Sequence, residues 1–309
     1  MVAKFHLGVS RRGLLATGLA AASTAVLAGT RAGALVVASK IDTEGAVLGN
    51  LMVMVLRAHG VAVEARLQLG PTRILRQALL SGAVDLYPEY TGNGASFFRQ
   101  AGDLAWHQAD SAYRRVAMLD LAQNRLVWLS PAPADNGWGI AVPRSMPLAS
   151  LDDLAAYLAR GGLLRLAASV EFVESADALP AFEHAYGFRL KQDQLLMLAG
   201  GDTAATLRAA AEGVSGINAA MAYGTDGALS ALGLRLLTDP RHAQIVFQPA
   251  PVIRQSALSA QPQIAGWLAP VFAALDRATL QTLNAQVAGD GADPRTVAAG
   301  FLRHRGLPA

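Results

Sequence analysis

The first part of the chain alternates between strand and helix patterns, and this alternation limits the fold more than any other feature of the sequence. Apolar or alternating strand patterns cover residues 35–39, 61–69 and 84–87, and helical patterns begin at Thr43 and Thr72. A β-α-β-α-β order of this kind predicts a parallel sheet with right-handed crossover connections.

A second β/α series follows a linker rich in proline and alanine at residues 131–137. Its strand patterns lie at residues 138–142, 164–168 and 216–223, and the last third of the chain is mainly helical. The sequence therefore predicts an α/β protein with two lobes and a cleft between them. We expect an export segment at residues 1–34, a first lobe at 35–134 plus 226–309, and a second lobe at 135–225.

The N-terminal segment has the composition of an export signal. Basic residues Lys4, Arg11 and Arg12 precede an apolar stretch at residues 14–28, and residues 32–34 (AGA) fit a cleavage site. The paired arginines resemble a twin-arginine signal, with an ordinary secretory signal or a membrane anchor as alternatives. Because the chain has no cysteine for lipid attachment, we expect a cleaved signal and a free periplasmic protein.

Charge argues against nucleic-acid binding. The whole chain has 26 basic and 23 acidic residues. Four of the basic residues and none of the acidic ones precede residue 35, which leaves 22 basic against 23 acidic residues in the rest. The basic isoelectric point is thus mostly a property of the leader, and no cationic surface for nucleic acid is predicted.

The sequence lacks the usual enzyme signatures. It has no H-E-x-x-H or G-x-S-x-G motif, no P-loop and no G-x-G-x-x-G motif after a strand. Residues 289–293 (GDGAD) lack most of the acids of a calcium loop. We therefore expect no catalytic residues, no metal and no cofactor, and we keep as alternatives an enzyme that reuses the two-lobe fold and a sensory ligand-binding protein.

Residues 85–94 (DLYPEYTGNG) join a predicted strand to a polar, glycine-containing loop. Because proline cannot donate to a strand ladder, we expect Pro88 to end a central strand at Tyr87. Polar and aromatic groups then lie beyond the carboxyl end of the strand, where open α/β sheets bind ligands.

Aromatic residues and one lysine stand at the predicted strand ends. They are Lys40, Tyr87, Tyr90, Trp138 and Tyr223. The faces of such rings attract a quaternary ammonium group, and each contact is worth about 0.5–2 kcal/mol. Lysine is rare after residue 34, where there are two lysines against 20 arginines, so a lysine before a helix start suggests a specific need for a compact positive charge.

Several short motifs occur together in one order along the chain. They are residues 39–44 (SKIDTE), 85–94, 136–138 (NGW), 171–173 (EFV), 177–180 (DALP), 222–227 (AYGTDG) and 280–284 (LQTLN). This set resembles the substrate-binding proteins of osmoprotectant ABC importers, which take up glycine betaine, choline and related compounds. The resemblance covers residues 35–309 and is nearest to a periplasmic branch that binds betaine weakly.

The resemblance implies a type II periplasmic-binding-protein (Venus-flytrap) fold that closes on a quaternary amine, with an aromatic cage and a carboxylate clamp. By position, Lys40 and Thr91 match clamp residues and Tyr90 borders the same pocket. Trp138 replaces a cage tyrosine of the relatives, Asn136 replaces an aspartate found in some, and Tyr223 matches a further wall. The implied partner is a membrane permease, and the implied state is a monomer.

Two positions depart from the pattern of these relatives. Ser175 stands where many have an arginine that grips the ligand carboxylate, and the helix at residues 203–212 lacks an expected cage tyrosine. We therefore expect a betaine-like zwitterion to bind with low affinity.

Overall fold

The structure is a computed structural model that describes residues 33–199 and 203–309. The predicted export signal at residues 1–34 lies outside the described residues, apart from its last two positions. Within the described part of the chain, no helix is both long enough and apolar enough to cross a membrane.

Ten strands form two five-stranded sheets of similar plan. The first sheet has the order β2-β1-β3-β10-β4, with β1 (Leu35–Lys40), β2 (Val63–Gly70), β3 (Leu86–Tyr90), β4 (Leu126–Trp128) and β10 (Pro249–Arg254). The second has the order β7-β6-β8-β5-β9, with β5 (Trp138–Pro143), β6 (Leu166–Ser169), β7 (Leu195–Leu198), β8 (Ala219–Tyr223) and β9 (Leu234–Leu236). In each sheet one strand, β10 or β5, runs antiparallel to both of its neighbours, and the other four strands run in one direction.

Thirteen described α-helices cover the sheets. Those between β1 and β5 are α1 (Thr43–Ala58), α2 (Thr72–Ser81), α3 (Asn93–Phe97) and α4 (Ala109–Asn124). Those between β5 and β10 are α5 (Leu151–Ala159), α6 (Val170–Glu174), α7 (Leu179–Tyr186), α8 (Thr203–Glu212) and α9 (Ala228–Ala231). The chain ends with α10 (Gln255–Ala260), α11 (Ile264–Ala273), α12 (Arg277–Ala288) and α13 (Pro294–His304).

Helix α1 shows how local sequence positions the site. It begins at Thr43, as predicted, because the carboxylate of Asp42 accepts a hydrogen bond from the backbone N–H of Gly45 at 2.7 Å and so caps the first turn. Its apolar side chains pack with those of α11, α12 and α13 in one core on the first sheet, while α2 and α4 contribute to a second core. The residues between β1 and α1 are thereby held at the carboxyl end of β1.

The expectation that Pro88 ends a strand at Tyr87 is wrong. Strand β3 continues through Pro88 to Tyr90 and pairs antiparallel with β10. Pro88 lies directly opposite Pro251, and two facing residues without N–H groups fit a non-hydrogen-bonded position of an antiparallel ladder. The two prolines therefore cost this ladder no hydrogen bond between them.

The expected boundary between residues 225 and 226 also needs correction. Strand β9, at Leu234–Leu236, pairs antiparallel with β5 and belongs to the second sheet. The chain returns to the first sheet only between β9 and β10. Pairing with β5 gives the backbone N–H and C=O groups of β9 their hydrogen-bond partners in the second sheet.

Two glycines directly after β8 allow the chain to pack closely against neighbouring backbone. A Cβ atom on Gly224 would overlap the carbonyl oxygen of Asp135, and one on Gly227 would overlap the backbone nitrogen of Ala285. The segment after β8 therefore lies directly against both the crossing before β5 and helix α12. This contact fixes where the end of β8 meets the first sheet.

Candidate functional site

The predicted aromatic residues of the second sheet lie side by side. Trp138 begins β5 and Tyr223 ends β8, and the two are register partners in the antiparallel pair. Their rings stack with centroids 6.5 Å apart and planes at 29°, and the rings of Phe172 and Trp138 form a T-shaped contact with centroids 6.0 Å apart. Both Trp138 and Tyr223 are partly exposed, so their rings can offer a face to a ligand.

On the first sheet, Lys40 is the last residue of β1, and its side chain forms a buried ion pair with Glu89. Its Nζ lies 2.5 Å from Oε1 of Glu89 and 4.3 Å from the centroid of the Tyr90 ring. Glu89 is fully buried and also accepts hydrogen bonds from the Tyr87 hydroxyl at 2.8 Å and from Asn93 Nδ2 at 2.7 Å. The positive charge of Lys40 is therefore already compensated by a carboxylate that the sequence argument left without a role.

Tyr87 does not lie at the cleft surface. It is fully buried in the core between the first sheet and its helices, in the same cluster as Leu75 and Trp106. Because side chains alternate across a strand, Tyr87 points to the face opposite that of Leu86, into this core. We therefore remove Tyr87 from the candidate ligand-binding residues.

Thr91 is fully buried and its hydroxyl is occupied. It donates to the carbonyl of Val246 at 3.0 Å and accepts from the backbone N–H of Gln248 at 3.1 Å. Thr91 thus ties the end of β3 to the segment that enters β10. A role in a carboxylate clamp stays a prediction and requires this hydroxyl to exchange a partner.

A buried hydrogen-bond network joins Tyr90 to the second sheet. The Tyr90 hydroxyl donates to Oε1 of Glu44 at 2.6 Å, and Asn284 donates to Oε2 of Glu44 at 2.8 Å and to the carbonyl of Thr225 at 2.9 Å. The Thr225 hydroxyl in turn donates to Oδ1 of Asn136 at 2.7 Å. Asn136 therefore connects to Tyr90 through groups on α1, on α12 and after β8.

Sequence reasoning missed three members of this network: Glu44, Thr225 and Asn284. All three occur in the motifs quoted above, but nothing in one sequence shows that residues 240 positions apart, such as Glu44 and Asn284, are in contact. The sequence feature that could have identified these three residues is their place in those motifs, where they lie after strands or on a helix with apolar neighbours.

Burial raises the pKa of Glu44 above its ordinary value of 4.5, and the charge of Asp42 adds to this, while hydrogen bonds from Thr225, Tyr90 and Asn284 oppose it. The folded protein then holds the proton of Glu44 more tightly than the unfolded chain does. Its contribution to stability is complete below pH 4.5 and is lost as the pH rises through the folded pKa.

We therefore expect the free energy of unfolding of the parent protein, relative to a Glu44→Gln variant, to fall as the pH rises above 4.5. Urea unfolding at several pH values measures this difference. The Glu64→Gln variant, altered at an exposed position, serves as the control and should show no such trend. A parent-minus-Glu44→Gln difference that is constant with pH would contradict the assignment.

The described residues contain no group of three or more histidine, cysteine or acidic side chains arranged to hold a metal ion. A crevice of about 560 Å³ lies on the α12 and α13 side of the first sheet, and it contains none of the predicted site residues. The aromatic pair, the Lys40–Glu89 pair and the network through Glu44 thus remain the candidate site.

Comparison with known proteins identifies similar chains. Residues 33–304 match the family described as the substrate binding domain of the ABC-type glycine betaine transport system. The glycine betaine-binding protein YehZ of Escherichia coli (strain K12) is 57% identical over 274 residues, or 87% of this chain and 90% of that protein. A glycine-betaine-binding protein of Pseudomonas aeruginosa is 31% identical over 305 residues, or 96% and 92%.

Solved structures give the same result for the fold. Apo YehZ from Escherichia coli superposes with a TM-score of 0.82 at 56% identity, over 89% of this chain and 99% of that one. A glycine betaine/carnitine/choline ABC transporter structure superposes with a TM-score of 0.76 at 17% identity, over 88% and 98%. At that identity the likeness concerns the fold alone, and it confirms the predicted two-lobe architecture.

Proposed function

Since this chain belongs to the family of substrate-binding domains of ABC-type glycine betaine transport systems, we propose that it is a non-enzymatic solute-binding protein that delivers a quaternary amine to an ABC permease. The fold is that of type II periplasmic binding proteins, as the sequence predicted. We further propose that the protein acts as a monomer in the periplasm after removal of its leader.

The observation that carries this proposal is the stacked pair of Trp138, at the start of β5, and Tyr223, at the end of β8. Both rings are partly exposed. Tyr90, at the end of β3 in the first sheet, is linked to Asn136, near the start of β5, by the hydrogen-bond network that contains Glu44. Aromatic faces attract a methylated ammonium group, which carries its charge but has no N–H to donate. In our proposal Trp138, Tyr223 and Tyr90 supply the walls, and Asn136 and Lys40 border them.

A ligand bound between the two sheets favours the closed conformation, in which residues of both sheets contact the ligand. The chain crosses between the sheets twice, once between β4 and β5 and once between β9 and β10, and such crossings are where a hinge motion takes place. Because a ligand shifts this equilibrium only through its differential affinity for the closed form, the permease can distinguish loaded from empty protein.

We propose that glycine betaine binds weakly. The position of the expected arginine is Ser175, which ends α6 and offers no positive charge. A charge-assisted hydrogen bond of that kind contributes about 1.5–3 kcal/mol, or about 10- to 150-fold in affinity. Lys40, the other clamp candidate, is held by Glu89.

Replacing Trp138 with alanine should weaken binding of a quaternary amine by about 1–2 kcal/mol, or about five- to thirtyfold, because one wall of the site is lost. Titration calorimetry with choline and glycine betaine measures the change. Trp267→Ala is the matched control, since Trp267 stacks on His59 on another part of the first lobe. A Trp138→Ala variant that binds as well as the parent would show that the ring is not part of the site.

A further inference from the structure

Two segments carry the chain between the lobes, where a lobe is one sheet with the helices that cover it. In the first segment, between β4 and β5, the N–H of Ala134 donates to the carbonyl of Leu275 in the first lobe at 3.2 Å. Three residues later, the carbonyl of Gly137 accepts from the N–H of Gly224, directly after β8 of the second lobe, at 2.9 Å. This segment therefore passes from the first lobe to the second at residues 135–136.

The second segment, between β9 and β10, returns to the first lobe over an equally short stretch. Gln244 is buried, and its Nε2 donates to the carbonyl of Asp177 in the second lobe at 2.5 Å. The N–H of Val246 donates to the carbonyl of Trp106 in the first lobe at 2.9 Å. By these contacts the chain passes from the second lobe to the first within residues 244–246.

Asp135 links the two segments at these places. Its Oδ1 accepts hydrogen bonds from the N–H of Phe247 at 2.8 Å and from the N–H of Gly137 at 3.0 Å. The N–H of Asn136 donates to the carbonyl of Phe247 at 3.0 Å. Phe247 is thus bonded to the first segment through both of its backbone groups. We call these three hydrogen bonds the hinge brace.

The first segment has little freedom of its own before it reaches the hinge brace. Pro131 and Pro133 each have a φ angle fixed by the ring at about −65°. The N–H of Ala132, which lies between them, donates to the carbonyl of Pro249 at 2.8 Å. With the approach fixed in this way and the brace in place, a rotation of one lobe against the other bends both segments together.

We propose that Asp135 is a positioning residue of the hinge, which couples the two segments and so confines the relative motion of the lobes to one rotation. Without its carboxylate, Phe247 keeps a single backbone bond to the first segment, and each segment bends separately. The lobes then gain a twist against each other. The inference rests on the two-lobe fold and not on the ligand, so its failure would leave the proposed function standing.

Distances between two spin labels, measured by double electron–electron resonance in the purified ligand-free protein, test the coupling. Because the chain has no cysteine, Gln77→Cys and Gln192→Cys supply the label sites without background. Both residues are exposed; Gln77 lies on α2, which follows β2, and Gln192 precedes β7. Strands β2 and β7 are the edge strands opposite β4 and β9, so a twist at the hinge moves the labels most.

We expect a wider distribution of distances in Asp135→Ala than in the parent. Asparagine keeps an acceptor oxygen at the same place, so Asp135→Asn should restore most of the narrow distribution. A residue that only stabilised the fold would change the free energy of unfolding and leave the width unchanged.

Amide hydrogen exchange measures the hinge brace itself. In Asp135→Ala the N–H groups of Phe247 and Gly137 should exchange about 10- to 150-fold faster, since each loses a hydrogen bond to a charged acceptor. In the parent both amides should be protected, and this measurement requires no variant.

Asp153→Ala is the matched control. Asp153 also accepts hydrogen bonds from two backbone N–H groups, those of Ala149 at 2.9 Å and Ser150 at 3.0 Å, but all three residues lie in the second lobe. This variant should leave the distribution of interlobe distances unchanged.

A parent-like distribution in Asp135→Ala, or an equal widening in Asp153→Ala, would overturn the inference. Equal widening in Asp135→Asn and Asp135→Ala would show that the acceptor oxygen does not couple the segments. An unprotected Phe247 amide in the parent would show that the hinge brace does not form in solution.

Discussion

Replacing Glu89 with leucine should lower the free energy of unfolding by about 3–5 kcal/mol. Glu89 is fully buried and accepts hydrogen bonds from Lys40, Tyr87 and Asn93, together with the backbone N–H of Tyr90. The variant leaves the ammonium group of Lys40 buried and without its carboxylate. Leaving one charge of a buried pair uncompensated is among the most destabilising of single changes.

A second variant separates the ion pair from the loss of packing. With Lys40→Met added to Glu89→Leu, no charge is left unpaired, and we expect much of the lost stability to return, since a buried ion pair and an apolar pair differ little in free energy. Urea unfolding measures both. The exposed pair of Arg66 and Glu64 is the control, and Glu64→Leu should cost less than about 1 kcal/mol. A Glu89→Leu cost within that range would contradict the account of Lys40.

Replacing Asp120 with alanine should cost about as much, roughly 3–5 kcal/mol, but without affecting the ligand site. Asp120 has no exposed surface and accepts two hydrogen bonds from Arg76, at 2.7 and 2.5 Å, and one from Trp128 Nε1 at 2.7 Å. Arg76 also lies over the ring of Phe97, with its Cζ atom 4.3 Å from the centroid. The variant leaves both a buried guanidinium and an indole N–H without the carboxylate.

The matched control for Asp120→Ala is Asp103→Ala, because Asp103 pairs with Arg115 at a site where both side chains are 34% exposed. That variant should lose less than about 1 kcal/mol. Urea unfolding gives the two free energies, and calorimetry at a temperature where the protein is folded should give the parent affinity for choline in both. Equal losses for Asp120→Ala and Asp103→Ala would show that the Arg76 pair is no more important than a surface one.

Local sequence was enough to locate the first two helices of the fold. Helices α1 and α2 begin at Thr43 and Thr72, as predicted, because helix periodicity and end signals act within a few residues. Pairing between distant segments was not predictable in this way. The path of β3 through Pro88 depends on β10, and the place of β9 depends on β5, and neither partner is near in sequence.

The same limit applies to the candidate site. The aromatic residues at strand ends were found because a strand end is visible in the sequence, and the register of Trp138 with Tyr223 brings two of them together. Tyr87 was misplaced because its strand runs three residues further than predicted, which makes it an interior position rather than an end. Glu89 was visible only as a carboxylate in a motif, since its partner Lys40 is 49 residues away.

Binding of a quaternary amine is the central claim, and calorimetric titration with a panel of paired compounds tests it most directly. Glycine betaine, choline, carnitine and proline betaine carry the quaternary ammonium group, while glycine and ethanolamine are the unmethylated counterparts of the first two. We predict saturable binding of at least one quaternary amine, at micromolar to millimolar concentration, and no binding of glycine or ethanolamine at the same concentrations. Absence of binding for all four quaternary amines, or equal binding of the unmethylated compounds, would contradict the account.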